Sequence, residues 1–120
     1  MAESSILTTW GAVHVGRETM GLGIFQEAIG YYMAAVQAGK LGDFKVGICE
    51  NGNMGKLAGY MVAEGSVEQI QAIWADEAYK RIVAKATHVV SFSMVTCATG
   101  SAVSGAVERL LGVRNELGIT

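Results

Sequence analysis

His14 lies four residues after Trp10 within Ser5 to Val15, a run whose side chains alternate between two sides. An imidazole is the side chain that can gain and lose a proton near neutral pH, so His14 is a candidate general base. Arg17 and Glu18 follow at once, an opposite-charge pair suited to orienting an anionic or hydroxylated ligand at a pocket mouth. A plainer reading stands beside this one: His14 is a half-buried, hydrogen-bonded residue, and Arg17 and Glu18 pin a loop to a neighbouring element. The absence of a second catalytic partner near His14 in sequence favours the plainer reading.

Other chemistries fail on spacing. Two histidines and two cysteines without paired ligand spacing give no zinc site, and no metal is expected. Cys49 and Cys97 read as small buried hydrophobes. Gly21-Leu22-Gly23 meets Gln26 where a dinucleotide fingerprint needs a third small residue, and Asn51-Gly52-Asn53-Met54-Gly55-Lys56 lacks the first glycine and the Ser/Thr of a phosphate loop. No GxSxG elbow is present. His88 sits where a helical segment meets a strand, a place where histidine usually satisfies a terminal carbonyl.

Composition narrows the class further. The chain of 120 residues has 9 Lys and Arg against 11 Asp and Glu, a net charge of −2 and a pI near 5.6, with 51% hydrophobic residues. One domain over residues 1–120 follows, with a core over 5–100 and a terminal helix over 101–117. The mild negative charge supplies no footprint for nucleic acid. No apolar run reaches the ~20 residues of a membrane span. The two cysteines lack CxxC spacing and the first residues lack a basic leader, so a reducing, cytoplasmic setting is expected. With 16 Gly and no Pro, glycine is the main punctuation.

These residues need elements to hold them. Ser5 to Val15 reads as a strand, with Ile6, Thr8, Trp10, Ala12 and His14 on one face. Met20, Ile24, Phe25, Ala28, Tyr31, Tyr32, Ala35 and Val36 recur at helical spacing up to a stop at Gly39. Phe44 to Cys49 and Leu57 to Val62 alternate around Asn51-Gly52, a hairpin. Ser66-Val67-Glu68-Gln69 fits a capping box. The helical phase slips at Asp76, which predicts two short helices or a kink. Alternation returns from His88 to Ala98, and Ser101 to Leu117 is amphipathic.

Strand, helix, hairpin, helix, strand and an extra helix make an α+β fold: a ferredoxin-like βαββαβ arrangement, a four-stranded antiparallel sheet with both main helices on one face. Apolar groups on both sides of the strands then call for a second copy, so a homodimer through the uncovered sheet face is expected. The chain resembles the dimeric α+β barrel superfamily, in a small uncharacterised bacterial branch. The resemblance covers residues 5 to 100 and is carried by Gly16-Arg17-Glu18, Ala28-Ile29-Gly30-Tyr31-Tyr32, Tyr60-Met61-Val62-Ala63-Glu64-Gly65 and Tyr79-Lys80-Arg81-Ile82-Val83.

That resemblance implies a cavity on the sheet face away from the helices, with the Trp10 and His14 side of the first strand lining it. It implies a small organic ligand, without cofactor, and an oxygenase-like step on an aromatic or polyketide-like compound. His14 abstracts the proton, Tyr60 donates a hydrogen bond, Trp10 and Phe92 contact the ligand, and Arg17 and Glu18 hold it. His88 with Trp74 loosely resembles the axial histidine and pocket tryptophan of haem-degrading relatives, at a poor spacing match. The alternative is a non-catalytic structural or interaction dimer with a filled barrel and the terminal helix docked on a partner.

Overall fold

The computed structural model describes residues 2–119. Its elements run β1 (Ser4–Val13), α1 (Glu18–Gln37), β2 (Asp43–Ile48), β3 (Gly59–Gly65), α2 (Val67–Ala75), α3 (Glu77–Thr87), β4 (Val90–Ala98) and α4 (Ala102–Glu116). The strands form one antiparallel sheet in the order β2-β3-β1-β4. This is the ferredoxin-like fold, as the order of elements leads one to expect.

Local chemistry sets the boundaries. Beyond the end of α1, Gly39 takes φ 75°, and the amides of Gly39 and Lys40 donate to the carbonyls of Val36 and Ala35. That pair of bonds is a Schellman closure, which only a residue at ease with positive φ completes cheaply. Ser66 and Gln69 exchange both bonds of a capping box at the start of α2. Asp76 is extended, ends α2, and caps α3 through Ala78 N–H. The phase slip in the sequence is therefore a break between two helices.

Two boundaries differ from expectation. The hairpin strands stop at Ile48 and resume at Gly59, so the connection is longer than Asn51 to Gly55. β1 ends at Val13 after a bulge: Trp10 pairs with Phe92, yet Val13 pairs with Val90. Three steps along β1 match two along β4, so one extra residue reverses the alternation. Gly11 occupies the bulge, against the carbonyl oxygens of Gly55 and Lys56 where a Cβ would lie only 2.4 Å and 2.8 Å away.

Registers sort the sheet into two faces. The rows Phe44–Ala63–Ile6–Thr96, Val46–Met61–Thr8–Met94 and Ile48–Gly59–Trp10–Phe92 look toward α1, α2 and α3. The rows Asp43–Glu64–Ser5–Cys97, Lys45–Val62–Leu7–Val95 and Gly47–Tyr60–Thr9–Ser93 lie on the other side. The core gathers Ile6, Tyr32, Ala35, Met61, Ala63, Ile70, Ile73 and Tyr79. Fully burying a residue such as Ile6 or Ile70 stabilises by about 1.5–3 kcal/mol. By contrast α4 buries no side chain, and Leu110 is 72% exposed.

Two glycines give opposite expectations for the same substitution. A Cβ on Gly59 would fall 2.4 Å from the Trp10 indole and 2.8 Å from the Gly47 carbonyl, so Gly59→Ala is expected to destabilise by about 1–3 kcal/mol. Gly23, in α1, faces open space, and Gly23→Ala is expected to stabilise by about 0.5–1 kcal/mol. Paired urea unfolding curves check both signs.

Candidate functional site

The sheet and helices flank a half-open cavity of about 360 Å³ between the Trp10 row and the facing sides of α1 and α3. β1 supplies Trp10 and Val13, α1 supplies Leu22, Phe25 and Ala28, α3 supplies Ile82, Val83 and Ala86, and β4 supplies Phe92 and Met94. The space exists because small residues stand where large ones would meet. Gly21, Ala28 and Ala86 line the helical wall. On the sheet, the Trp10 indole lies across Gly59 and meets Phe25 edge to face, ring centres 5.5 Å apart. That contact is the kind worth about 0.5–1.5 kcal/mol beyond the area it buries.

This corrects the expected position of the pocket. Trp10 and Phe92 face the helices of the same chain, not the open side of the sheet. Val13, which the alternation of the first strand places opposite Trp10, lines the same cavity. The bulge returns Val13 to the Trp10 side, and the sequence alternation could not register the extra residue.

Polar groups are few, and most are occupied. Tyr32 and Tyr79, one on each helix, share a hydrogen bond of 2.5 Å between their hydroxyls at the inner end of the cavity. Tyr32 stacks on Phe44, and Tyr79 meets Trp74 edge to face. Trp74 Nε1 donates to Thr96 Oγ1. Tyr31 donates to Asp76 Oδ2 at 2.6 Å. Burial pushes Tyr31, Tyr32 and Tyr79 above the ordinary tyrosine value of 10.0; Asp76 adds to this for Tyr31, and Tyr32 adds to it for Tyr79. Asp76 moves down, first through the Tyr31 hydroxyl and then through Ala78 N–H. The Thr8 hydroxyl is buried beside Tyr32 and offers the cavity no exposed oxygen.

Of the residues singled out in the sequence, Trp10, Phe92 and Glu18 line this cavity, with Glu18 in the first turn of α1. His14 and Arg17 do not line it. His14 Nδ1 lies 3.3 Å from the carbonyl oxygen of His88, and Arg17 Nη1 donates to that same oxygen. Both thus hold the β1–α1 turn against the end of α3, where cationic and donor groups complement the helix dipole. Tyr60 is on the other face of the sheet, 42% exposed, with its ring across Gly47 of β2. Phe25, Ile82, Val83 and Met61 were not singled out as site residues. Phe25 already stood on the apolar stripe of its helix, and the signal that could have found it is that stripe's small neighbours, Gly21 and Ala28, which leave room beside a sheet carrying Trp10.

No family model and no curated protein matches the chain. Solved structures match in fold. A dimeric protein of unknown function with a ferredoxin-like fold from Bacteroides fragilis NCTC 9343 is 13% identical, with a TM-score of 0.58 over 80% of this chain and 95% of that one. A putative antibiotic biosynthesis monooxygenase from Deinococcus radiodurans is 12% identical, with a TM-score of 0.58 over 85% of this chain and 95% of that one.

The tyrosine cluster yields a pH expectation. A tyrosine held above its free value keeps its proton in the fold, so its stabilising effect is complete below pH 10 and is lost as pH rises beyond it. Absorbance at 295 nm should show Tyr31, Tyr32 and Tyr79 ionising only together with alkaline unfolding. Tyr79→Phe strands the Tyr32 hydroxyl and should cost about 1–2 kcal/mol, and the double change with Tyr32→Phe should cost less than the sum of the two.

Proposed function

We propose that this protein binds a small, largely apolar aromatic compound in the cavity between its sheet and helices and works as a homodimer. The observation that carries the reading is the cavity itself: about 360 Å³ walled by Trp10, Phe25, Phe92 and Met94 within a single protomer. Volumes of about 300–1,000 Å³ with apolar walls are typical of small-molecule sites. The likeness in fold to a dimeric protein supports the homodimer, as do Leu7, Val62, Tyr60 and Val95 on the sheet face opposite the helices.

The finer form is a cofactor-independent, oxygenase-like enzyme acting on an aromatic or polyketide-like compound. In it a carbon acid held against Trp10 gives up a proton to a base. Dioxygen adds to the carbanion, and the protonated hydroperoxide loses water to leave a carbonyl. Support for this form is the likeness in fold to the Deinococcus protein. The base is its open position, since His14 and Tyr60 lie outside the lining and Glu18 is the carboxylate within it. The alternative of a non-catalytic interaction dimer draws on α4, whose Val103, Val107, Leu110 and Leu111 are all exposed.

The neutral fluorescent probe N-phenyl-1-naphthylamine tests the binding reading. Its emission should rise on addition of the protein and quench Trp10. Ala86→Phe fills the cavity wall and should abolish the rise while circular dichroism stays native; a probe that ignores the wild-type protein ends the proposal. Val95→Lys places a charge on an exposed position of the sheet face. It should halve the mass seen by light scattering at micromolar concentration with little loss of protomer stability.

A further inference from the structure

We infer that the mouth of the cavity selects ligands whose polar head is an ammonium or amine, with Glu18 as its acceptor, and disfavours carboxylate heads. This rests on the binding reading above and adds the chemistry of the head group. The cavity lining contains one charged side chain, Glu18, and no Lys, Arg or His. Tyr32 and Tyr79 bond to each other, and Thr8 is hidden, so a polar head gains nothing by going deep. It stays at the mouth, where the carboxylate stands.

Glu18 is free to act there. Its Oε1 accepts only a long bond, 3.4 Å, from Gly16 N–H, and among the described residues it has no ion pair. Arg17 is next in sequence and could have neutralised it, but its guanidinium turns to the His88 carbonyl at the end of α3, alongside His14. A carboxylate arriving at this mouth meets the like charge of Glu18, and the Arg17 guanidinium is absent from the cavity lining. An ammonium meets an exposed carboxylate without an ion-pair partner among the described residues.

Displacement of bound N-phenyl-1-naphthylamine by two probes with the same aromatic body decides the matter. At pH 7, 1-naphthylmethylammonium should displace it at about tenfold lower concentration than 1-naphthylacetate. Glu18→Gln should bring the two within about threefold of each other. Glu116→Gln removes the same charge from the far end of α4 and should leave the ratio as it was. Equal displacement in the wild type, a preference for the acetate, a ratio that survives Glu18→Gln, or one that collapses equally with Glu116→Gln overturns the head-group assignment while leaving the cavity reading intact. Absence of probe binding in the first place overturns the cavity reading and this one together.

Discussion

Trp10 lying flat across a bare glycine is the contact on which the rest of the molecule depends. The indole needs the surface of β3 at Gly59, because a methyl group there would occupy the space of its ring. With the ring seated, it meets Phe25 edge to face, and that contact sets how closely α1 approaches the sheet at that end. A flexible side chain in place of Trp10 would let the helix settle onto the sheet and close the gap. Rigid aromatics at a few points, with Gly21, Ala28 and Ala86 between them, hold two layers apart without filling the interval.

The other end of the same interval is closed by polar groups that satisfy one another. Tyr32 and Tyr79 join α1 to α3 through their hydroxyls, and Tyr31 ties α1 to Asp76, the residue that ends α2 and begins α3. The break between α2 and α3 is thus more than a failure of helical phase. It turns a carboxylate toward α1 and lets α3 lie along the cavity while α2 covers the Ile70 and Ile73 part of the core. At the mouth a third joint appears, with His14 and Arg17 both on the His88 carbonyl. The helical layer is therefore fastened at both ends, and the unfilled stretch lies between the fastenings.

Much of this was legible in the sequence because the signals were local. Gly39, the Ser66 capping box and the slip at Asp76 each act within a few residues, and each appears where it was expected. The order of elements carried the topology for a similar reason, since few antiparallel arrangements accommodate a split βαβ pair. Which side of β1 faced inward was another matter. Alternation divides Ile6, Thr8 and Trp10 from Leu7 and Thr9, yet both sets are apolar enough to be core, and only the partner across the strand settles it. Gly59, pairing with Trp10, is that partner. The bulge at Gly11 was invisible for a further reason: its cause is the carbonyls of Gly55 and Lys56, more than forty residues away.

These placements separate stability from recognition. The residues that bond across the fold, the tyrosines, Trp74, His14 and Arg17, use their polar atoms on protein partners. A group so engaged is a poor ligand contact, because a ligand must replace a bond already made. The residues that wall the cavity, Trp10, Phe25, Phe92 and Met94, offer area and shape without a hydrogen-bonding direction beyond the single indole N–H. In the binding reading proposed above, discrimination between ligands of similar shape falls to the rim, where Glu18 stands at the start of α1. A carboxylate there also stabilises the helix through its dipole, at the cost of no buried charge. On that reading the charge at this position is separable from the tyrosine and aromatic joints, because Glu18 bonds to none of them and its only hydrogen bond among the described residues is the long one from Gly16 N–H.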